Sequence, residues 1–346
     1  MAVFHNTDSP VCGMLVQMTA VQPQPDTTTK TSRNLHFYAD RLKFAQGMLA
    51  PMAGYTDAPF RKLARSCGAA WTVSEMMSAQ GVLEGGSRTL ELGMPYPGEE
   101  DLVLQLFGAD PEVLAAATFR MEQECRPAAI DLNMGCPVPK MKGRGGACLL
   151  QTPEVAFSLV SAMKKSTTLP ISAKMRIGWD SNQALEIALG LQEAGADLIT
   201  VHGRTSAQRY EGHADWETVG EVARTLSIPV IGSGDVRSVQ DFHERMQLGV
   251  AGVMIGRGAV GNPWIFSMVQ GNSEPDLQQR IMLALEHAEL NVEWYGEHSG
   301  IRQLRKVLWQ YFPHHPELKK DLQQVSTVQE VRTVLAPLFA QIDQSS

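Results

Sequence analysis

Short apolar runs alternate with helix-period segments along most of this chain. The runs fall at residues 48–52, 71–75, 102–106, 129–133, 171–175, 198–202, 229–232 and 252–255. Between them, residues 57–67, 110–126, 153–167, 182–194, 215–226 and 238–248 read as helices. Three of these open on Asp, Thr-Pro or Asp-Pro, which are good helix starts, and two end in Gly-Ala or Ala-Gly-Ala. Residues 76–101 read as a loop with weak helix signal. Eight strand–helix units in sequence predict a (β/α)8 TIM barrel, an α/β fold, over residues 47–270. After Trp264 the grammar changes. Residues 276–298, 300–313, 316–325 and 327–342 keep a helical period, with breaks at Gly300, Pro313, Pro316 and Ser326. No strand-like run remains, so residues 276–346 are expected to form a C-terminal all-helical bundle domain. At the other end, Gln22 to Ser32 is polar, Pro- and Thr-rich and aperiodic, and residues 1–46 are assigned to an N-terminal extension that is largely disordered.

Composition narrows the function classes. The 346 residues carry 30 Lys and Arg against 37 Asp and Glu, a net charge of −7, so a polyanion partner must be met by a local patch. The five cysteines (12, 67, 125, 136 and 148) are scattered, with no metal-ligand spacing, which suits free thiols in a reducing, cytoplasmic setting without metal. No apolar run approaches the ~20 residues of a membrane helix, and no signal peptide is expected. Nothing calls for more than a monomer.

In such a barrel the C-terminal strand ends face the active site. They carry Pro51-Met52-Ala53, Glu75, Gln105, Asn133 with Cys136, Lys174 with Arg176, His202 with Arg204, Ser233-Gly234-Asp235, and Gly256-Arg257. A ring of this kind is not what apolar packing selects. Barrels commonly bind phosphate at the last two loops, where glycines let backbone N–H groups approach and Arg257 adds charge. Lys174 inside a buried strand suits either a cation against an electron-rich cofactor ring or a Schiff-base amine. Gln105 offers the donor and acceptor that a flat heterocycle edge needs. Cys136, between Gly135 and Pro137, could be a nucleophile, a general acid or an inert packing residue; the stiff turn makes the last the weakest reading. Cys148 reads as packing.

Taken together, Leu49-Ala-Pro-Met-Ala-Gly-Tyr-Thr-Asp57, Thr72-Val-Ser-Glu-Met-Met-Ser78, Asp131-Leu-Asn-Met-Gly-Cys-Pro137, Lys174-Met-Arg-Ile-Gly-Trp179, Val201-His-Gly-Arg-Thr205 and Met254-Ile-Gly-Arg-Gly-Ala259 resemble the tRNA-dihydrouridine synthases, above all their bacterial B-type branch. The resemblance covers roughly residues 47–340. It implies an enzyme that uses FMN, with NADPH or NADH as reductant, to saturate the C5–C6 bond of a D-loop uridine in tRNA. By similarity, Pro51, Met52 and Ala53 pack on the flavin, Gln105 and Lys174 meet its pyrimidine edge, and His202 with Ser233, Gly234, Asp235, Gly256 and Arg257 holds the ribityl phosphate. Cys136 is the expected general acid, giving C5 its proton while hydride reaches C6. Asn133 is counted on the substrate side.

The same resemblance asks for an RNA clamp. Candidates are Lys140, Lys142 and Arg144 beside Cys136, then Arg176, Arg204 and Arg209, and in the helical domain Arg302, Arg305 and Lys306, with Lys319 and Lys320 beyond. One departure stands out. The family usually places Asn before Gly-Asp or Gly-Glu after strand seven, and here Ser233 stands there, losing the amide's paired donor and acceptor. Three other readings remain: a class I aldolase using Lys174, an FMN-dependent reductase of small pyrimidines, and a tRNA-binding relic without activity.

Overall fold

A computed structural model describes residues 36–137 and 145–343. The part of the chain built on residues 36–61 and 69–258 is a closed parallel barrel. Its strands are β1 (Gly47–Leu49), β2 (Thr72–Val73), β4 (Leu102–Phe107), β5 (Ala129–Met134), β6 (Ile171–Arg176), β7 (Leu198–His202), β8 (Val230–Ser233) and β9 (Gly252–Ile255), and a two-residue β3 (Met77–Ser78) adds to the edge of β4. The barrel strands run in the order β2-β1-β9-β8-β7-β6-β5-β4, and β2 pairs with β4 to close the ring. Each of the eight predicted runs holds one barrel strand. The six helices predicted between the strand runs are also present, as α2 (Ala58–Ser66), α5 (Pro111–Cys125), α6 (Pro153–Ser166), α7 (Ala184–Glu193), α8 (Trp216–Thr225) and α9 (Val239–Met246).

Register fixes which side chains point inward. Gln105 lies opposite Asp131, Asp131 opposite Ser172, Asn133 opposite Lys174, Arg176 opposite His202, and His202 opposite Ser233. With a period of two, the residues below these on the same strands face inward as well. The N-terminal end of the interior is therefore apolar, with Met48, Trp71, Val73, Val103, Ala129, Leu198, Ile231 and Met254 in one buried cluster. Polar groups occupy the upper half.

Residues 36–46 correct the sequence expectation. They are not disordered extension: α1 (Phe37–Leu42) is a helix whose Phe37 and Tyr38 are buried in that apolar cluster, against Trp71. Six residues flanked by polar sequence give too short a period to read. The rest of the predicted extension, residues 1–35, lies outside the described residues. The region 76–101, read as a loop with weak helix signal, is irregular except for β3 and two short helices. It holds α3 (Ala79–Leu83), capped by the Ser78 hydroxyl, and α4 (Ser87–Glu91). The loop that follows is anchored by Glu99, whose carboxylate takes both Nε and Nη2 of the buried Arg61 at 2.8 Å.

The last part of the chain is helical by itself. After the single turn α10 (Ile265–Met268), four helices match the four predicted ones: α11 (Leu277–Tyr295), α12 (Glu297–Leu308), α13 (Leu318–Leu322) and α14 (Val328–Asp343). The predicted break at Gly300 sits instead at Gly296, whose φ of 76° ends α11. Gly300 lies inside α12, where a Cβ would come within 2.4 Å of the Asn291 carbonyl oxygen, so the glycine serves close packing of α11 on α12. Buried Ile281, Leu285, Ile301, Leu304, Leu308, Val331 and Leu335 supply the core of this unit. No helix among the described residues is long and apolar enough to cross a membrane.

Candidate active site

At the C-terminal ends of the barrel strands opens a cleft of about 660 Å³, its open mouth included. It is lined by Pro51, Met52, Lys174, His202, Ser233, Gly234, Asp235, Gly256 and Arg257, together with Tyr210 and Met254. Nine of the eleven predicted cofactor residues thus meet at one place. Ala53 is exposed outside the lining, and Gln105 is buried beneath it.

The walls are set by local hydrogen bonding. The 51–54 loop is held down by Glu75, whose Oε2 accepts the Gly54 N–H at 2.5 Å. Gly234 has φ 122°, and a Cβ there would lie 3.0 Å from the His202 ring, so a glycine keeps this wall close to the imidazole. Asp235, at φ 53°, accepts from Arg204 Nη2 at 2.6 Å and from the Ala214 N–H at 2.9 Å, with Arg257 3.8 Å away. Burial raises its pKa, but these hydrogen bonds and charges outweigh it, and the carboxyl sits below its ordinary value.

The cleft is strongly cationic. Burial first, and then the charge of the neighbouring Arg176, bring the Lys174 ammonium down to about 8, against the opposing charge of Asp131. His202 is held well below its usual value, first by burial, then by the charges of Lys174, Arg176, Arg204 and Arg257. The imidazole is therefore neutral at pH 7, and this end of the cleft is built to receive an anion. Tyr210, 59% exposed, is a residue the strand-end reading passes over because it lies eight residues beyond β7. Two guanidinium groups lie over its ring, Arg257 at 5.0 Å and Arg176 at 5.5 Å from the centroid.

Cys136 stands half-buried at the end of β5, beside the strand that carries Lys174. Its turn is pinned on three sides. The Asn133 side-chain oxygen accepts the N–H groups of Gly135 (3.2 Å) and Cys136 (3.0 Å). Arg176 Nε donates to the Gly135 carbonyl at 2.8 Å, and the Ala147 N–H reaches the Cys136 carbonyl at 3.1 Å. A thiol on such a turn has a fixed origin, which proton delivery to one carbon requires.

Two predicted RNA contacts are overturned by this packing. Arg176 and Arg204 are 1% and 2% exposed. Arg176 donates to the carbonyls of Gly135, Thr205 and Arg209, and Arg204 to those of Glu211 and Gly212 and to Asp235. Both fasten the loops of the site, and neither is presented to a phosphate backbone. Arg209 is solvent-exposed. In the helical unit Arg302 and Lys306 are exposed, but Arg305 turns inward to the carbonyls of Gln324 and Val325 and the Ser326 hydroxyl. Lys319 lies over the Trp309 ring at 4.2 Å, and Lys320 is exposed. Lys140, Lys142 and Arg144 lie outside the described residues.

Residues 48–343 match the family model described as dihydrouridine synthase (Dus). The chain belongs to the dihydrouridine synthase family. A probable tRNA-dihydrouridine synthase of Rhizobium leguminosarum bv. phaseoli is 34% identical over 302 residues, covering 86% of this chain and 95% of that protein. The tRNA-dihydrouridine synthase B of Shewanella oneidensis is 34% identical over 87% of this chain and 97% of its own length. One from Aquifex aeolicus, also named probable tRNA-dihydrouridine synthase, is 36% identical over 80% and 92%. Membership settles the fold expectation and sets aside the aldolase reading, for which the depressed Lys174 amine would otherwise have served.

Proposed function

We propose that this protein is a tRNA-dihydrouridine synthase: a flavin-dependent enzyme that adds hydrogen across the C5–C6 bond of a uridine in tRNA. The observation that carries the reading is a cationic cleft at the strand ends with a rigidly held thiol on the adjoining turn, in a chain of this family. FMN fits the lining. Pro51, Met52 and Met254 offer an apolar face, Lys174 a cation, and the Gly234 and Gly256–Gly258 loops with Arg257 an anion-accepting end beside neutral His202.

When bound, reduced FMN supplies the hydride for C6 of the uracil, with NADPH as the source of electrons. The chain's own residues do the rest. Lys174 keeps a positive charge low in the cleft, where negative charge has to be tolerated. Neutral His202 offers one N–H without competing for a proton, and Arg257 and the glycine loops would hold the phosphate. Cys136 gives its proton to C5, which completes the addition of one hydride and one proton across the double bond. The uridine must leave its stack to reach the cleft, so flanking RNA has to be held as well. Arg302, Lys306 and Lys320 are exposed cations of the helical unit, residues 276–343, suited to that task. Ser233 retains a short polar side chain at the cleft wall, consistent with weakened rather than abolished cofactor binding.

A visible absorption spectrum of the purified protein, followed by anaerobic NADPH and then unmodified tRNA, tests the proposal. A flavin spectrum that bleaches with NADPH and recovers with tRNA is expected. A protein that binds tRNA but takes up no FMN would instead be a relic. One whose reduced flavin is reoxidised by free uracil as readily as by tRNA would be a small-pyrimidine reductase.

A further inference from the structure

Beneath the cleft, an unbroken chain of hydrogen bonds climbs the barrel interior from its floor to the cysteine turn. Tyr38 Oη donates to Ser172 Oγ at 2.9 Å, and Ser172 Oγ donates to Asp131 Oδ1 at 2.6 Å. The other Asp131 oxygen accepts from Gln105 Nε2 at 2.8 Å. Gln105 Oε1 accepts from Asn133 Nδ2, also at 2.8 Å, and Asn133 Oδ1 receives the N–H groups of Gly135 and Cys136. All five side chains in this chain are buried.

The chain has a direction, and Asp131 sets it. An ionised carboxylate only accepts, so Gln105 must turn its NH2 toward Asp131 and its oxygen toward Asn133. Asn133 must then turn its NH2 toward Gln105, which leaves its oxygen for the two backbone amides of the cysteine turn. Reversing either amide would face donor against donor or acceptor against acceptor in a buried place, where an unmade hydrogen bond is costly. Burial raises the Asp131 pKa to about 6, opposed by the hydrogen bonds from Ser172 and Gln105 and by the Lys174 charge, so the carboxylate is ionised at neutral pH.

We propose that Asp131 is a positioning residue for Cys136: anchored from below by Ser172 and Tyr38, its carboxylate orients the Gln105 and Asn133 amides and thereby fixes the turn that carries the thiol. The proposal deepens the reading of Cys136 as the proton donor and rests on that reading for its catalytic consequence. Its geometric content does not. Asp131 never reaches the cleft lining; it acts through two amides, and the same relay fixes which edge Gln105 and Asn133 present upward.

The test uses the full-length protein and two readouts. The first is alkylation of Cys136 by iodoacetamide without added FMN, followed site by site by mass spectrometry and compared at the plateau of each variant's pH–rate profile, so that changes in thiol ionisation drop out. The second is kcat and KM for unmodified tRNA. Asp131→Asn, nearly isosteric, removes the obligate acceptor. We expect its plateau alkylation rate to change at least fivefold, and kcat to fall at least tenfold while KM for tRNA holds. Tyr38→Phe and Ser172→Ala should move both readouts in the same direction by less. The double variant Asp131→Asn with Gln105→Glu moves the carboxylate one position up the relay. The anion then lies between two carboxamides, that of Asn133 and the one introduced below it, and accepts from both. The Asn133 oxygen is again left for the turn, and the plateau alkylation rate should return toward wild type. Wild-type alkylation and kcat in Asp131→Asn would overturn the proposal. If that variant does not fold, wild-type plateau rates in Ser172→Ala overturn it instead. A wild-type protein that makes no dihydrouridine removes the catalytic reading alone, because the alkylation series still decides whether the relay positions Cys136.

Discussion

His202 in the barrel and His287 in the helical unit are both held below the ordinary histidine range, and the causes differ. His287 is pushed down to about 3 by burial alone; its Nδ1 lies 2.9 Å from the Tyr311 hydroxyl, deep among apolar side chains. His202 is lowered by burial and then by four surrounding cations, with Arg257 53% exposed at the cleft mouth. A neutral buried histidine is thus a packing solution in one place and a sign of an unbalanced positive field in the other. Unbalanced charge is costly unless something neutralises it, and the phosphate of the proposed FMN would do so at the strand ends.

That contrast can be pressed hardest at the reacting end of the cleft. Cys136→Ala should slow dihydrouridine formation by ~10²–10⁴-fold, the usual range for a lost general acid, while flavin uptake stays the same. Parallel FMN titration and rapid-mixing assays check this. Next come the two histidines. His202→Ala should weaken FMN binding about tenfold, one hydrogen bond's worth of ~1.4 kcal/mol, with little change in melting temperature. His287→Ala should do the reverse. It deletes the buried hydrogen bond with the Tyr311 hydroxyl and removes ~1–3 kcal/mol of stability in urea unfolding, with FMN affinity unchanged.

Their pH dependences separate as well. His287 has a folded pKa below its unfolded value of 6.5, so the unfolded state takes up the proton first. Its contribution is complete above pH 6.5 and is lost as pH falls toward about 3. Lys174 works in the opposite range: activity that needs its charge should decline as pH rises through about 8. A pH–stability curve and a pH–kcat profile report the two independently. The smallest effect contrasts two arginines of one helix. Arg302→Ala should lower the salt dependence of tRNA binding by about one unit of slope. Arg305→Ala, which loses contacts to Gln324, Val325 and Ser326, should cost about 1 kcal/mol of stability and leave that slope alone.

The same distinction explains what the sequence could and could not reveal. Strand-end residues were legible because a closed parallel barrel leaves only its C-terminal rim free for chemistry, so Lys174, His202, Ser233 and Arg257 could be placed on one face from spacing alone. Whether a cation at that rim looks outward could not be read. Arg176 and Arg204 are each two residues from a lining position, yet their guanidinium groups are consumed by loop carbonyls that come together only in the fold. Gln105 reads from the sequence as a polar residue within a strand, but its two partners, Asp131 and Asn133, belong to the neighbouring strand and emerge only from register. The α1 helix escaped because two aromatic residues in six carry no period; burial under Trp71 is what makes them core.

The most direct measurement is mass spectrometry of unmodified tRNA after a single anaerobic turnover with the FMN-loaded, NADPH-reduced protein, beside its Cys136→Ala variant. A gain of about two mass units on one uridine with the wild type, absent or slowed at least a hundredfold with the variant, is the expected result. Unaltered uridine in every tRNA despite a reducible flavin would contradict the assignment, and an equal rate in the variant would contradict the role of Cys136.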